Sequence, residues 1–216
     1  MKTNKGLVEY CKQQIGLPYW WGWGTFGQIA SQSLLDQKRK QYPTQYTATD
    51  FKSQFGKRVH DCVGLIKGYL WRDENDKLTY NPAQDKDVSG FYQSCSEVGN
   101  IQDIPEVEGL LVFMKGHVGV YIGKGEVIEA KGHKFGVVKT KLAERGWTSY
   151  GKLKWIDYIE EEKEMLTIDE ALIFLHEKGL LDKTEHWKYM CENVKDLKFV
   201  FIKWANSIST YNTENY

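Results

Sequence analysis

Apolar residues fall at helical spacing near the start of the chain. Leu7, Val8, Cys11 and Ile15 predict a helix over 5–16, with Cys11 as a small core residue and Gly16 and Pro18 as the stop. Residues 28–56 read as polar helix, in which the basic run Asp36 to Tyr42 is expected to be a solvated face. Residues 61–71 carry a stronger apolar stripe, Leu65, Ile66, Tyr69 and Leu70, with Asp61 as a good N-cap. Residues 72–104 are loop-rich, with turn signals at Asn81-Pro82 and Ser89-Gly90 and a short helix expected from Phe91 to Val98 carrying Cys95 inward.

From Gly109 the period changes. Gly109 to Phe113 reads as a buried strand, and Val118, Val120 and Ile122 alternate with Gly119 and Tyr121 in the next. Gly123-Lys124-Gly125 is a hairpin turn, Glu126 to Ala130 the returning strand, and Val137, Val138 and Leu142 a further strand and turn. Gly151 to Ile156 supplies a last strand. Glu160 to Glu164 reads as a charged linker. Thr167 to Glu170 forms a capping box, and apolar residues then recur helically through Leu175, Trp187, Cys191, Phe201 and Trp204 to a frayed tail after Ser209. The pattern predicts an α+β domain over 1–159, a linker over 160–166 and a small all-α module over 167–216.

Composition narrows the function classes. The chain has 216 residues, 41% hydrophobic and 14% aromatic, enough for a packed core. Its 29 basic residues balance 29 acidic ones, so no net field favours nucleic acid or an anionic membrane. No apolar run is long enough to span a bilayer, and the N-terminus lacks an apolar signal core, so synthesis in the cytoplasm without a signal peptide is expected. The cysteines Cys11, Cys62, Cys95 and Cys191 are widely spaced, with no C-x-x-C pair and no clustered histidine. That argues against a zinc site, another metal centre or a disulfide framework, and no cofactor is implied.

Two stretches carry candidate chemistry. His60-Asp61-Cys62-Val63-Gly64-Leu65 puts Cys62 in the first turn of a helix, where the dipole favours a thiolate. Gly116-His117-Val118-Gly119-Val120 puts His117 at the start of a strand. A thiol and an imidazole are the parts of a nucleophile and its base, as in papain-like cysteine hydrolases. If the hairpin turn centres on Lys124, paired residue numbers sum to 248, so Gly119 faces Glu129 and Tyr121 faces Val127. His117 and Glu129 then share a face as diagonal neighbours roughly 5–8 Å apart, and Glu129 can orient the imidazole. A one-residue slip would send Glu129 to the other face, leaving His133 as the reserve. The aromatic turn Leu17 to Gly24, with Tyr19, Trp20 and Trp21, is either core packing or a cleft wall, and the wall is favoured for Tyr19.

These motifs resemble the NlpC/P60 family of cell-wall cysteine peptidases. Gly16 to Gly22 is similar to the family's Tyr- and Gly-containing segment, and Val127-Ile128-Glu129-Ala130 to the strand that carries its third polar residue. The resemblance covers about residues 5–158. It implies a papain-like fold, a helix-borne cysteine packed on an antiparallel sheet, and hydrolysis of amide bonds in peptidoglycan stem peptides. Carried over by position, Cys62 is the nucleophile, His117 the base and Glu129 the third member, while Tyr19 and Asp61 line the cleft. Trp20, Trp21 and His133 are further candidate substrate contacts from their own places in the chain and are not carried over from the family. The chain departs from the family at Val63, where Ser is usual, and at Glu129, where many members have His. Action on the wall then needs release by phage lysis or non-classical export. The C-terminal helices resemble, more weakly, modules trailing wall lysins; they are expected to bind the wall, to pair subunits into a homo-oligomer, or only to stabilise the first domain. The alternatives are a related thiol amidase or acyltransferase on a non-wall substrate and a non-catalytic wall-binding module.

Overall fold

The computed structural model describes residues 1–159, 167–194, 197 and 200–205 of the chain. The chain divides into two compact units, Met1–Glu160 and Glu161–Tyr216. The expected linker over 160–166 and the tail after Ser209 lie outside the described residues.

The first unit begins with α1 (Asn4–Gln14), whose N-cap Thr3 accepts from the Gly6 N–H. Strands β1 (Phe26–Ile29) and β2 (Arg58–His60) form a separate antiparallel pair, with α2 (Gln32–Gln41) between them. The long polar helix expected over 28–56 is therefore mostly something else. Its front is strand, its rear is a 3-10 turn at Asp50–Gln54, and α2 stops at Tyr42 because Pro43 disfavours helical backbone before it. Lys38, expected on a solvated face, is fully buried, and its ammonium donates to the carbonyls of Gly22 (3.2 Å) and Trp23.

Helix α3 (Cys62–Trp71) is the central helix, and its bounds match the apolar stripe. The helix expected over 91–98 starts earlier and ends sooner, as α4 (Val88–Gln93). Asp87 caps it by accepting from the Gly90 N–H (2.8 Å), and Cys95 opens an edge strand instead, β3 (Cys95–Asn100). Strands β4 (Leu111–Met114), β5 (His117–Tyr121), β6 (Glu126–Ala130), β7 (Val137–Lys141) and β8 (Ser149–Leu153) complete a six-stranded sheet. Its order is β3-β8-β4-β5-β6-β7, antiparallel throughout. The β5–β6 register pairs Val120 with Ile128 and Tyr121 with Val127, the sum of 248 that the turn at Lys124 predicts.

Strand alternation gives the sheet two apolar faces. Val118, Val120, Ile128 and Ala130 join Leu7, Leu65 and Ile66 in the main core with α1 and α3. Tyr121 and Val127 join Leu110, Val112, Trp147 and Tyr150 in a smaller core on the other face. The unit is α+β, with the cysteine-bearing helix packed on an antiparallel sheet. Among the described residues no helix is long and apolar enough to cross a membrane.

The second unit contains α5 (Ile168–Glu177) and α6 (Thr184–Asn193), with residues 200–205 also helical. The capping box at Thr167 and Glu170 is formed, and Gly179 follows α5 at φ 69°. Leu172, Leu175, Cys191, Phe201 and Ala205 make its own small core.

Helix α3 approaches β1 closely because Gly64 has no side chain: a Cβ there would sit 2.1 Å from the Thr25 carbonyl oxygen. Backbone cannot yield as a flexible side chain can. Gly64→Ala is expected to lower stability by about 1–3 kcal/mol, measured as a shift in the urea unfolding midpoint.

Candidate active site

Asp61 fixes the start of α3. Its Oδ1 accepts from the Gly64 N–H at 2.6 Å, and its Oδ2 accepts from the Gly22 N–H at 3.2 Å. One carboxylate thus caps the helix and ties it to the aromatic turn. Cys62 follows as the first helical residue and is half-buried. Its Sγ lies against the backbone N–H groups of Val63, Val118 and Cys62 itself, and Val118 is the residue next to His117. The expectation of a resting thiolate is corrected here. Burial first, then the Asp61 carboxylate, push the Cys62 thiol up to about 12, and the three N–H groups only partly offset them. The same residue that builds the helix start opposes the charge the dipole favours.

His117 opens β5, and its Nε2–H donates to Glu129 Oε2 at 2.7 Å. Glu129 has no exposed surface. Its Oε2 also accepts from Arg145 Nη2 at 2.8 Å, and its Oε1 accepts from Arg145 Nε and the Thr140 hydroxyl, both at 2.8 Å. Burial works against the carboxylate charge, but the bonds from His117, Arg145 and Thr140 outweigh it and hold the group down at about 2. An ionised Glu129 can only accept, so the Nε2 of His117 carries the hydrogen and Nδ1 is the nitrogen left for chemistry. The His117 ring stacks on Trp147, with centroids 5.6 Å apart and planes 16° apart.

Beside Cys62 opens a cleft of about 750 Å³. Trp21 and Trp23 stand at its rim, 44% and 50% exposed, and Tyr92 and Phe113 also border it. Lys67 and Asp85 border it too, paired at 2.7 Å. Asp85 Oδ2 accepts from the Trp23 indole at 3.0 Å, which holds that ring in place. Val63 borders the cleft while packing into the main core.

Of the other residues expected here, Tyr19 is half-buried beside Cys62 and Asp61. Burial, then those two neighbours, push its hydroxyl far above the ordinary value, so it stays a neutral donor. Trp20 is corrected: it is 0% exposed, packs with Tyr46 and Phe51 in a separate core, and donates to Gln54 Oε1 at 2.6 Å, away from the cleft. In the Leu17 to Gly24 turn consecutive indoles point opposite ways, Trp20 into that core and Trp21 to the rim. His133 is likewise corrected. Its Nε2 pairs with Asp50 Oδ1 at 2.8 Å and its ring lies on Phe51, so it neither orients His117 nor borders the cleft.

A sequence model of the NlpC/P60 family matches residues 40–154. The chain belongs to the NlpC/P60 family. Among solved structures, this NlpC/P60 chain is similar to the peptidoglycan hydrolase RipB from Mycobacterium tuberculosis, at 20% identity over 72% of this chain and 67% of that one, with a TM-score of 0.43. It is also similar to the P60 domain of an M. avium subspecies paratuberculosis antigen, at 21% identity over 72% and 98%, with a TM-score of 0.43. A third is NlpC2 from Trichomonas vaginalis, at 15% identity and a TM-score of 0.41, covering 70% of this chain; the chain spans 46% of that protein's length. No curated protein matches the chain.

Around the NlpC/P60 motifs stand residues that sequence pattern does not single out: Arg145, Thr140, Trp147, Trp23, Lys67 and Asp85. Thr140 was within reach, because β7 pairs Thr140 with Val127 and Val138 with Glu129, which places its hydroxyl diagonal to the carboxylate. Arg145 follows a short 3-10 turn and carries no periodic signal. Among the described residues no group of three or more His, Cys, Asp or Glu could hold a metal ion.

The depressed Glu129 acid makes a pH prediction. Its value falls from 4.5 to about 2 on folding, so the stability it contributes is present above about pH 4.5 and is lost as pH falls through about 2. In urea unfolding across this range, the advantage of the parent over Glu129→Gln should shrink as pH falls. An advantage that stays constant would contradict an ionised, bonded Glu129.

Proposed function

We propose that this NlpC/P60 chain is a cysteine endopeptidase or amidase that cleaves amide bonds in peptidoglycan stem peptides, with Cys62, His117 and Glu129 as its catalytic set. The observation that carries this is the hydrogen bond from His117 Nε2 to an ionised, fully buried Glu129. It leaves Nδ1 as a free base on the residue beside the N–H that Sγ touches. Family membership supports hydrolysis, and the cleft beside Cys62 supports an extended peptide substrate.

The raised thiol makes the first step a proton transfer rather than attack by a stored thiolate. As Sγ bonds to the substrate carbonyl carbon, its proton passes to His117 Nδ1. The Cys62 N–H at the helix start, with the neutral Tyr19 hydroxyl as a second donor, stabilises the oxyanion. The C–N bond breaks as His117 protonates the leaving amine. Water, deprotonated by His117, then hydrolyses the thioester and frees the acid and the thiol. Trp21 and Asp61 act as walls of the substrate cleft.

Digestion of purified muropeptides read by mass spectrometry tests this. New fragments that account for water added across one amide are expected, and Cys62→Ala and His117→Ala should each lower the rate about 10⁴-fold or more. Activity should fall at low pH as the His117–Glu129 pair loses its ionised state; a flat profile would count against that pair. Turnover of other amides or esters, with muropeptides untouched, favours a thiol amidase or acyltransferase elsewhere. No turnover, with equal sluggish alkylation of all four cysteines, favours a binding module. The C-terminal unit is proposed to bind the wall or pair subunits. A chain ending at Ile159 should then lose binding to purified walls or drop in solution mass. If both are unchanged, the helices have only a stabilising role.

A further inference from the structure

We propose that Arg145 is a positioning residue that holds Glu129 ionised and aimed at His117, and so keeps His117 Nδ1 free to accept the thiol proton. The inference rests on the reading that Cys62 and His117 react. Its starting point is a conflict of burial and charge: Glu129 has no exposed surface, and a lone carboxylate in such a place takes up a proton instead of staying charged. Arg145 removes the conflict. Its planar fork spans the carboxylate, Nε to Oε1 and Nη2 to Oε2, both at 2.8 Å. The same indole that stacks on His117 also lies under the guanidinium, 5.8 Å from the Trp147 centroid, so Trp147 sets the imidazole and the arginine relative to each other.

The protons follow from the charges. With neutral imidazole, Glu129 and Arg145 sum to zero, Nε2 carries the hydrogen, and Nδ1 has its lone pair. Without the guanidinium a buried negative charge is left, and the pair takes up a proton at higher pH. If that proton stays on the ring, both nitrogens carry hydrogen. If it goes to Glu129, the carboxylic acid donates to Nε2 and the ring hydrogen moves to Nδ1. In both cases Nδ1 can no longer serve as base. Other charged or titratable groups are already engaged: on this face the Tyr121 hydroxyl donates to Glu106 at 2.6 Å, and on the opposite face of β6 and β7 Lys139 and Lys141 pair with Glu126. The Thr140 hydroxyl bonds Glu129 without adding charge, and from the start of α3 the Cys62 thiol lies against the Val118 N–H with the Asp61 carboxylate acting on that thiol. Among the described residues Arg145 supplies the cation bonded to Glu129 outside the imidazole itself.

The test is the rate of Cys62 alkylation by iodoacetamide across acid to neutral pH, read by peptide mass spectrometry in the full chain. The variants are Arg145→Gln, Arg145→Lys, Glu129→Gln and the double variant with Gln at both positions. Arg145→Gln should move the acid limb up by about one pH unit. Arg145→Lys keeps a cation but loses the fork, so the limb should stay near the parent's while the plateau rate falls about tenfold. In the Glu129→Gln background, Arg145→Gln should add no further shift. The proposal is overturned if Arg145→Gln leaves limb and plateau unchanged and only lowers the melting temperature, which marks a structural tie. If Arg145→Gln does not fold, an unchanged plateau in Arg145→Lys overturns it instead. If Cys62 in the parent labels no faster than Cys11, Cys95 and Cys191, the catalytic reading falls and takes this proposal with it; selective labelling with no Arg145 effect sinks the proposal alone.

Discussion

The carboxylate of Asp61 is the joint on which the first unit is built. One oxygen satisfies an N–H at the start of α3, and the other holds the Trp21-Gly22 turn against it. That turn has its carbonyls held from below by Lys38 and by the Tyr46 hydroxyl, which donates to the Trp21 carbonyl at 2.7 Å. Helix, rim and the α2 segment therefore share a single anchor. Two glycines let the helix use it, since a Cβ on Gly64 would meet Thr25 and one on Gly68 would lie 2.3 Å from the Tyr10 hydroxyl.

The electrostatics run in opposite directions at the two ends of the proposed catalytic set. Burial raises the Cys62 acid with little opposition, whereas at Glu129 burial is overcome by four donors on two oxygens. Burial alone therefore does not decide a charge state; the number and sign of bonded partners do. Within the proposed catalytic set the negative charge rests on Glu129, beside a guanidinium, while burial and Asp61 disfavour it on sulfur. In the proposed mechanism the thiol becomes reactive as His117 takes its proton, because the thiolate is the reactive form.

Much of this was legible in the chain, for local reasons. The N-cap at Asp61, the stripe of α3, the alternation of β5 and the Lys124 turn are short-range signals, and the hairpin register followed by simple pairing. That register alone places Glu129 on the His117 face. What the chain hid was tertiary. Lys38 reads as one member of a basic run, yet it is buried, where its ammonium donates to two backbone carbonyls of a distant turn. Trp20 and Trp21 are neighbours with the same chemistry, and only the direction of an irregular turn separates core from rim. The segment from Phe91 to Val98 is expected to be helical, whereas pairing with β8 draws it into an edge strand from Cys95. Arg145 sits in a loop, where no periodicity points to its partner.

The alternation that splits the sheet into two apolar faces has a further consequence. Cys62, Val63 and the cleft belong to the face covered by α1 and α3, whereas Glu129 and Trp147 belong to the other. His117, at the first position of its strand, is the hinge between them. Contacts with substrate and control of the proton are thus assigned to opposite sides of one sheet. The cleft wall can be rebuilt by changes in the loops around Trp23 and Asp85 without disturbing a single ligand of the buried carboxylate. A fold arranged in this way can change what it recognises while the chemistry stays as it was.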